Sequence, residues 1–288
     1  MQRPDAVLRH DPAVEAIALV LDSPHSGEWY PDDFDHEPPR DIVRRAEDTH
    51  VARLWHAATA HGATLVEARF PRAYIDPNRS LADIDVDLLA DAWPDPITPS
   101  RKTQQGIGLV WRLARGGTPM YARRLSSAEV RARIDRCWRP YHAMLDASID
   151  QRHAAFGAVW HVNCHSMPAV GDALSDDPGR ERADFVLGDR DGTTCEAAFT
   201  DLVAGAVRAM GYSVAINDPY KGVEIVRKHG RPHENRHSLQ IEIKRTLYMD
   251  ENTLVPNAGY AKLERDLATL SRTLAAYVRS RTSTGRAT

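Results

Sequence analysis

Cysteine is scarce in this chain. Only three occur in 288 residues, far apart at Cys137, Cys164 and Cys195. An odd, scattered set gives neither a disulfide framework nor a CxxC pair, which suits a reducing cytoplasm. A charge excess is also missing. The 37 basic and 40 acidic residues leave a formal net charge of −3, so no basic face argues for nucleic acid. Long apolar runs are absent too, and the longest falls far short of the ~20 residues of a membrane span. Met1-Gln2-Arg3-Pro4 leads into polar sequence, with no apolar stretch like that of a signal peptide. There is no internal repeat. What remains is an ordinary globular balance, 42% hydrophobic and 27% charged, expected of a soluble cytoplasmic protein.

The length has room for one large α/β domain. Short apolar runs over 15–21, 63–70, 158–163, 184–187, 212–216 and 238–243 read as strands. They alternate with helical periodicity over 41–60, 126–155, 195–210 and 260–280. Ser126 and Glu129 form a capping-box pattern, and Pro140 is expected to kink the helix that follows. Strands alternating with helices imply a mostly parallel sheet. Residues 83–119 are rich in Pro, Gly and Asp, a length of loop that suggests a lid or pocket wall.

Two histidines follow strands. His25 stands in Pro24-His25-Ser26-Gly27-Glu28 after an apolar run, and His165 stands in Asn163-Cys164-His165-Ser166. Ligands of open α/β sheets bind beyond the carboxyl ends of the strands, so both histidines point to one pocket. Catalytic zinc takes three His or carboxylate ligands and leaves a position for water. Glu28 offers an H-x-x-E spacing for the third, and Asp48 is the other candidate. In Tyr74-Ile75-Asp76-Pro77-Asn78-Arg79, the Asn78-Arg79 pair has planar donors suited to a carboxylate. Glu242 interrupts a strand whose other face carries Leu239, Ile241 and Ile243. A carboxylate inside a strand is costly unless it is paired or working, as a general base for instance. Lys221 and the Arg227–His233 cluster supply donors on glycine-punctuated loops, and His237 precedes the Glu242 strand.

In combination these segments resemble the N-formylglutamate amidohydrolase family. The matching motifs are Pro24-His25-Ser26-Gly27, the Asp48 segment, Arg72 to Arg79, Asn163 to Pro168, Leu187 to Gly192, Tyr220-Lys221-Gly222, His229 to Pro232, and Leu239 to Glu242. They run in order over roughly residues 15–255. The resemblance extends to the zinc carboxypeptidases and the N-acyl amino acid deacylases. It implies an α/β three-layer sandwich with a mixed central sheet flanked by helices, phosphorylase/hydrolase-like, in one catalytic domain. That domain would span 1–288, with its core at about 15–280 and a polar tail at 281–288.

The resemblance further implies one zinc ion per chain, with another divalent metal as the alternative, held by His25, His165 and either Asp48 or Glu28, with Asp48 favoured. Asn78 and Arg79 would grip the substrate carboxylate, with Lys221 and His237 as further substrate donors. Glu242 would be the base and Arg231 the oxyanion's partner. Pro77 replaces a small aliphatic residue and stiffens its loop. The expected partner is a small N-acyl amino acid, N-formyl-L-glutamate by default. Alternatives are a different acyl group or side chain, a small peptide, or non-catalytic binding of an acidic metabolite. No nucleic-acid or membrane partner is expected.

Overall fold

The computed structural model describes residues 5–114, 116–173 and 175–283. Seven strands, β1 (Val7–His10), β2 (Leu19–Ser23), β3 (Thr64–Ala68), β4 (Val159–Met167), β5 (Phe185–Gly188), β6 (Val214–Ile216) and β7 (Arg236–Lys244), form one sheet in the order β1-β3-β2-β4-β7-β5-β6. The helices are α1 (Arg40–Arg44), α2 (Val51–Trp55), α3 (Arg101–Gln104), α4 (Ser127–Arg133), α5 (Arg139–Phe156), α6 (Ala197–Ala209), α7 (Glu224–His229) and α8 (Tyr260–Ser283). No described helix is long and apolar enough to cross a membrane. The helix α8 runs into the expected polar tail, whose residues 284–288 lie outside the described residues. The chain divides into two compact units.

The unit made of residues 9–23, 50–66 and 145–288 contains β2, β4, β5, β6 and β7. β4 runs parallel to both β2 and β7, whereas β5 is antiparallel to β7. β5 in turn runs parallel to β6, so the sheet is mixed, as the resemblance implies, with β5–β7 as the antiparallel junction among these pairings. β4 is buried along its whole length, so both faces of the strand are covered. Trp160, Val162 and Cys164 face one way and join Leu19, Leu21, Leu239 and Ile241 in an apolar core with α2, α6 and α8. The alternate residues, His161, Asn163 and His165, face the other way, in register with Ser238, Gln240 and Glu242 of β7. Period-two alternation thus divides a continuous buried strand into an apolar face and a polar one.

The unit of residues 1–8, 24–49 and 67–144 packs around a buried arginine. Arg133 is 2% exposed, lies 4.2 Å over the Tyr74 ring and donates to Tyr121 Oη and the Tyr74 carbonyl. The expected long loop at 83–119 is braced near its start. Asp83 accepts from Ser100 N at 2.7 Å and from the hydroxyls of Ser100 and Thr103, which ties the segment to itself.

The helix expected over 41–60 is broken. α1 stops at Arg44, α2 starts at Val51, and His50 between them is left-handed at φ 72°. Propensity gives way here to tertiary bonds, because Glu47 and Asp48 are both buried and Asp48 N donates to His25 O at 2.9 Å. The expected kink at Pro140 takes the form of a π-helical turn over Ile134–Trp138 just before it. Proline lacks the N–H that would close an ordinary turn onto residue 136.

All three cysteines are free and buried. Desolvation pushes the Cys137 thiol up to about 11 and raises Cys164 and Cys195 further.

The capping box at α4 is present as read. Ser126 Oγ accepts from Glu129 N, and Glu129 accepts from Ser126 N. The Arg123 guanidinium, followed by the Ser126 groups, holds Glu129 down at about 2, below its ordinary 4.5. A depressed carboxyl stabilises the fold fully above its unfolded value and loses that contribution as pH falls through the folded one. Glu129→Gln is therefore expected to lower the urea midpoint at pH 6. The difference from wild type should shrink between about pH 4.5 and 2 in parallel denaturation curves.

Candidate active site

His25 sits on a loop that only glycine permits. A Cβ on Gly27 would lie 2.3 Å from the Arg69 carbonyl carbon and 2.4 Å from Phe70 O, so the loop lies flat against that backbone. His25 is 1% exposed. Its Nε2 is 2.7 Å from Asp76 Oδ1, and its Nδ1 is 3.3 Å from Asp48 Oδ2. Arg72 donates to the other Asp76 oxygen through Nε and Nη2. Burial alone would raise the pKa of Asp76, but Arg72, His25 and Arg79 overcome it and hold the carboxyl well below the usual range. An ionised Asp76 only accepts, so His25 Nε2 carries a proton toward it. Nδ1 is then the ring nitrogen directed at Asp48. Ser26 Oγ also donates to Asp48 O.

Of the two carboxylates weighed beside His25, the fold brings up Asp48. Glu28 is 51% exposed and paired with Arg44 at 2.7 Å.

Asn78 and Arg79 are both buried. Asn78 N donates to Asp76 Oδ1, and Arg79 donates to the Asn78 and Ile107 carbonyls. The segment is pinned by three donors from the helical stretch that runs from the end of α4 into α5. Arg133 reaches Tyr74 O at 3.1 Å, Trp138 Nε1 reaches Arg79 O at 3.0 Å, and His142 Nε2 reaches Pro77 O at 2.8 Å. None of these donors was legible in the sequence, where Trp138 reads as part of an apolar stripe.

In the sheet unit, His165 is 2% exposed and its Nε2 lies 2.7 Å from Asn163 Oδ1. Glu242 is its partner across β4 and β7, with Oε1 accepting from Gln240 Nε2 at 3.1 Å. Two buried guanidiniums stand at this end of β7. Arg245 donates to Ser166 Oγ at 3.1 Å. Arg182 forms a two-pronged pair with Asp177. Burial lowers the Arg182 pKa, but Asp177, Tyr220 and Glu242 together outweigh it and raise the value.

Three residues singled out in the sequence lie elsewhere. Arg231 bridges to Arg236 at the start of β7, is 44% exposed and pairs with Glu234. Six residues of strand, roughly 20 Å, separate that end from Glu242. His237 is on the apolar face, stacked 5.2 Å from Trp160, because its odd position in β7 points it away from Glu242. Lys221 is 55% exposed and paired with Asp191.

Asp22, His161 and Ser238 have the composition of a nucleophilic triad, with bonds of 2.8 Å along the series. Ser238 is 0% exposed, so no substrate reaches it, and the set is a buried ladder.

The family model for N-formylglutamate amidohydrolase matches residues 17–249. The chain belongs to that family. It is 30% identical over 240 residues to N-formylglutamate deformylase of Pseudomonas putida, covering 82% of this chain and 83% of the relative. The same-named protein of Pseudomonas aeruginosa is 30% identical over 243 residues, with the same coverage. Among solved structures, an N-formylglutamate amidohydrolase from Ralstonia eutropha JMP134 is 49% identical. It superposes with a TM-score of 0.92 over 96% of this chain and 100% of that one. The mixed sheet with its helices is thus the fold of an N-formylglutamate amidohydrolase.

Trp138→Phe keeps a ring at that position but removes the donor to Arg79 O. A net loss of about 1 kcal/mol is expected. It should appear as roughly fivefold faster amide exchange over residues 74–79.

Proposed function

We propose that this chain is a zinc-dependent amidohydrolase that hydrolyses N-formyl-L-glutamate to formate and L-glutamate. The observation that carries the reading is the buried pair of His25 Nδ1 and Asp48 Oδ2, directed at each other at 3.3 Å with the far side of the ring already engaged. Two imidazoles and a carboxylate are the ligand types of catalytic zinc, and this donor set fits one ion held by His25, Asp48 and His165. The family match, which runs through both compact units, supports their serving one catalytic domain. The three-layer, carboxypeptidase-like arrangement belongs to the same proposal.

When bound, such an ion supplies Lewis acidity and lowers the pKa of water. The chain's own residues do the rest. Glu242 takes a proton from the attacking water and returns it to the amine nitrogen as the C–N bond breaks. Asn78 and Arg79 orient the α-carboxylate, on a segment whose backbone the Arg133, Trp138 and His142 donors hold still. The oxyanion role passes from Arg231 to Arg245, whose buried guanidinium is bonded to Ser166 beside His165. Lys221 and His237 receive no role. A cytoplasmic location is also proposed, supported by the free cysteines.

Glu242→Gln is expected to keep its zinc and to lose turnover by about 10²–10⁴-fold. Near-normal turnover in that variant would remove Glu242 from the mechanism. A panel of N-formyl, N-acetyl and N-succinyl amino acids, assayed with and without chelator, should show hydrolysis of N-formylglutamate alone, abolished by chelation. Chelator-resistant hydrolysis would contradict the metal. A faster N-acetyl substrate would point to another deacylase, and a protein that binds but turns over nothing would be a binder.

A further inference from the structure

Behind His165 lies a row of buried polar groups to which the reaction assigns no role. Asn163 is 0% exposed and Asp22 is 0% exposed. A carboxylate accepts and does not donate, so the Asn163 atom 2.8 Å from Asp22 Oδ1 is the amide nitrogen. The amide oxygen then faces His165 Nε2 at 2.7 Å. An amide oxygen only accepts, so Nε2 carries the proton, and in a neutral imidazole the lone pair is left on Nδ1.

We infer that Asp22 and Asn163 are positioning residues, a carboxylate–amide relay that fixes the tautomer and ring plane of His165 so that Nδ1 is the nitrogen presented to a metal ion. The inference rests on the metal reading above and adds two residues to it. A fixed charge at Asp22 polarises the Asn163 amide and strengthens its bond to His165. Outer partners of this kind orient ligating histidines and raise their basicity. The Nε2 of His25 is engaged by a different route, because Asp76, braced by Arg72, holds it. Both proposed imidazole ligands therefore leave the same nitrogen, Nδ1, on the side away from that partner.

The relay has a built-in control. The same oxygen of Asp22 accepts from His161 Nε2, and His161 Nδ1 meets Ser238 Oγ at 2.8 Å. That branch is equally buried but leads away from His165.

The test compares zinc affinity of the apo protein by competition with a chromophoric chelator, alongside the melting temperature. Asn163→Leu, similar in shape, is expected to bind zinc about 10–100-fold more weakly. Ser238→Ala should lower the melting temperature and leave zinc affinity as in wild type. The double exchange Asp22→Asn/Asn163→Asp restores an acceptor against His165 Nε2 and should recover most of the affinity lost in Asn163→Leu. A folded Asn163→Leu variant with wild-type affinity, or equal losses in Asn163→Leu and Ser238→Ala, would overturn the relay. Nitrogen-15 NMR of the wild-type apo protein, which depends on no variant folding, is expected to find His165 protonated at Nε2. Protonation at Nδ1 overturns the inference. Wild type that takes up no zinc at all would overturn the metal reading, and the tautomer would still decide the relay.

Discussion

A polar side chain on a central strand has no water to fall back on, and the rest of this structure answers to that constraint. β4 is buried on both faces, yet three of its residues on one face are His161, Asn163 and His165. An unsatisfied buried polar group costs about 1–3 kcal/mol, so such a row survives only if each member finds a partner. The partners are Asp22 on one neighbouring strand and Ser238 on the other. The register between β2, β4 and β7 is thereby fixed twice, by the apolar face and by the polar one. A one-residue slip would bury both wrongly.

The same logic shapes the unit that carries His25. Its ring, Asp48, Asp76 and Arg79 are all removed from water, and backbone has been given up to make this possible. The chain abandons a helix between Arg44 and Val51 and places His50 in a left-handed conformation. In return, Asp48 bonds to the loop that holds His25 through both its amide and its carbonyl. Strain and irregularity concentrated at such a site mark pre-organisation.

Much of this was legible in the residues. The strands bearing His165 and Glu242, the strand before His25, the capping box and the family itself follow from apolar periodicity and ordered motifs. The break at Glu47-Asp48 was not legible, because local propensity favours a helix there and only long-range bonds oppose it. The mixed direction of the sheet was legible only through the family resemblance, since β5 carries no mark of its own orientation. Asp22 and Asn163 escaped notice as a short polar residue at the end of a strand and one amide among apolar neighbours. Their signal was period two: Asn163 shares a strand face with His165, two residues on. The same rule separates His237 from Glu242, five residues apart and on opposite faces. Arg231 was drawn in by its neighbours in sequence, whereas β7 carries Glu242 to the far end of the sheet.

The three cysteines have a practical consequence. Each is buried, and desolvation holds each as a neutral thiol far above physiological pH. Thiolates, not thiols, react with alkylating and oxidising reagents. The folded protein is thus expected to stay silent toward maleimide probes without removal of any native cysteine. A single cysteine introduced on the exposed surface gives a uniquely labelled molecule. The appearance of three further reactive thiols then reports directly on global unfolding.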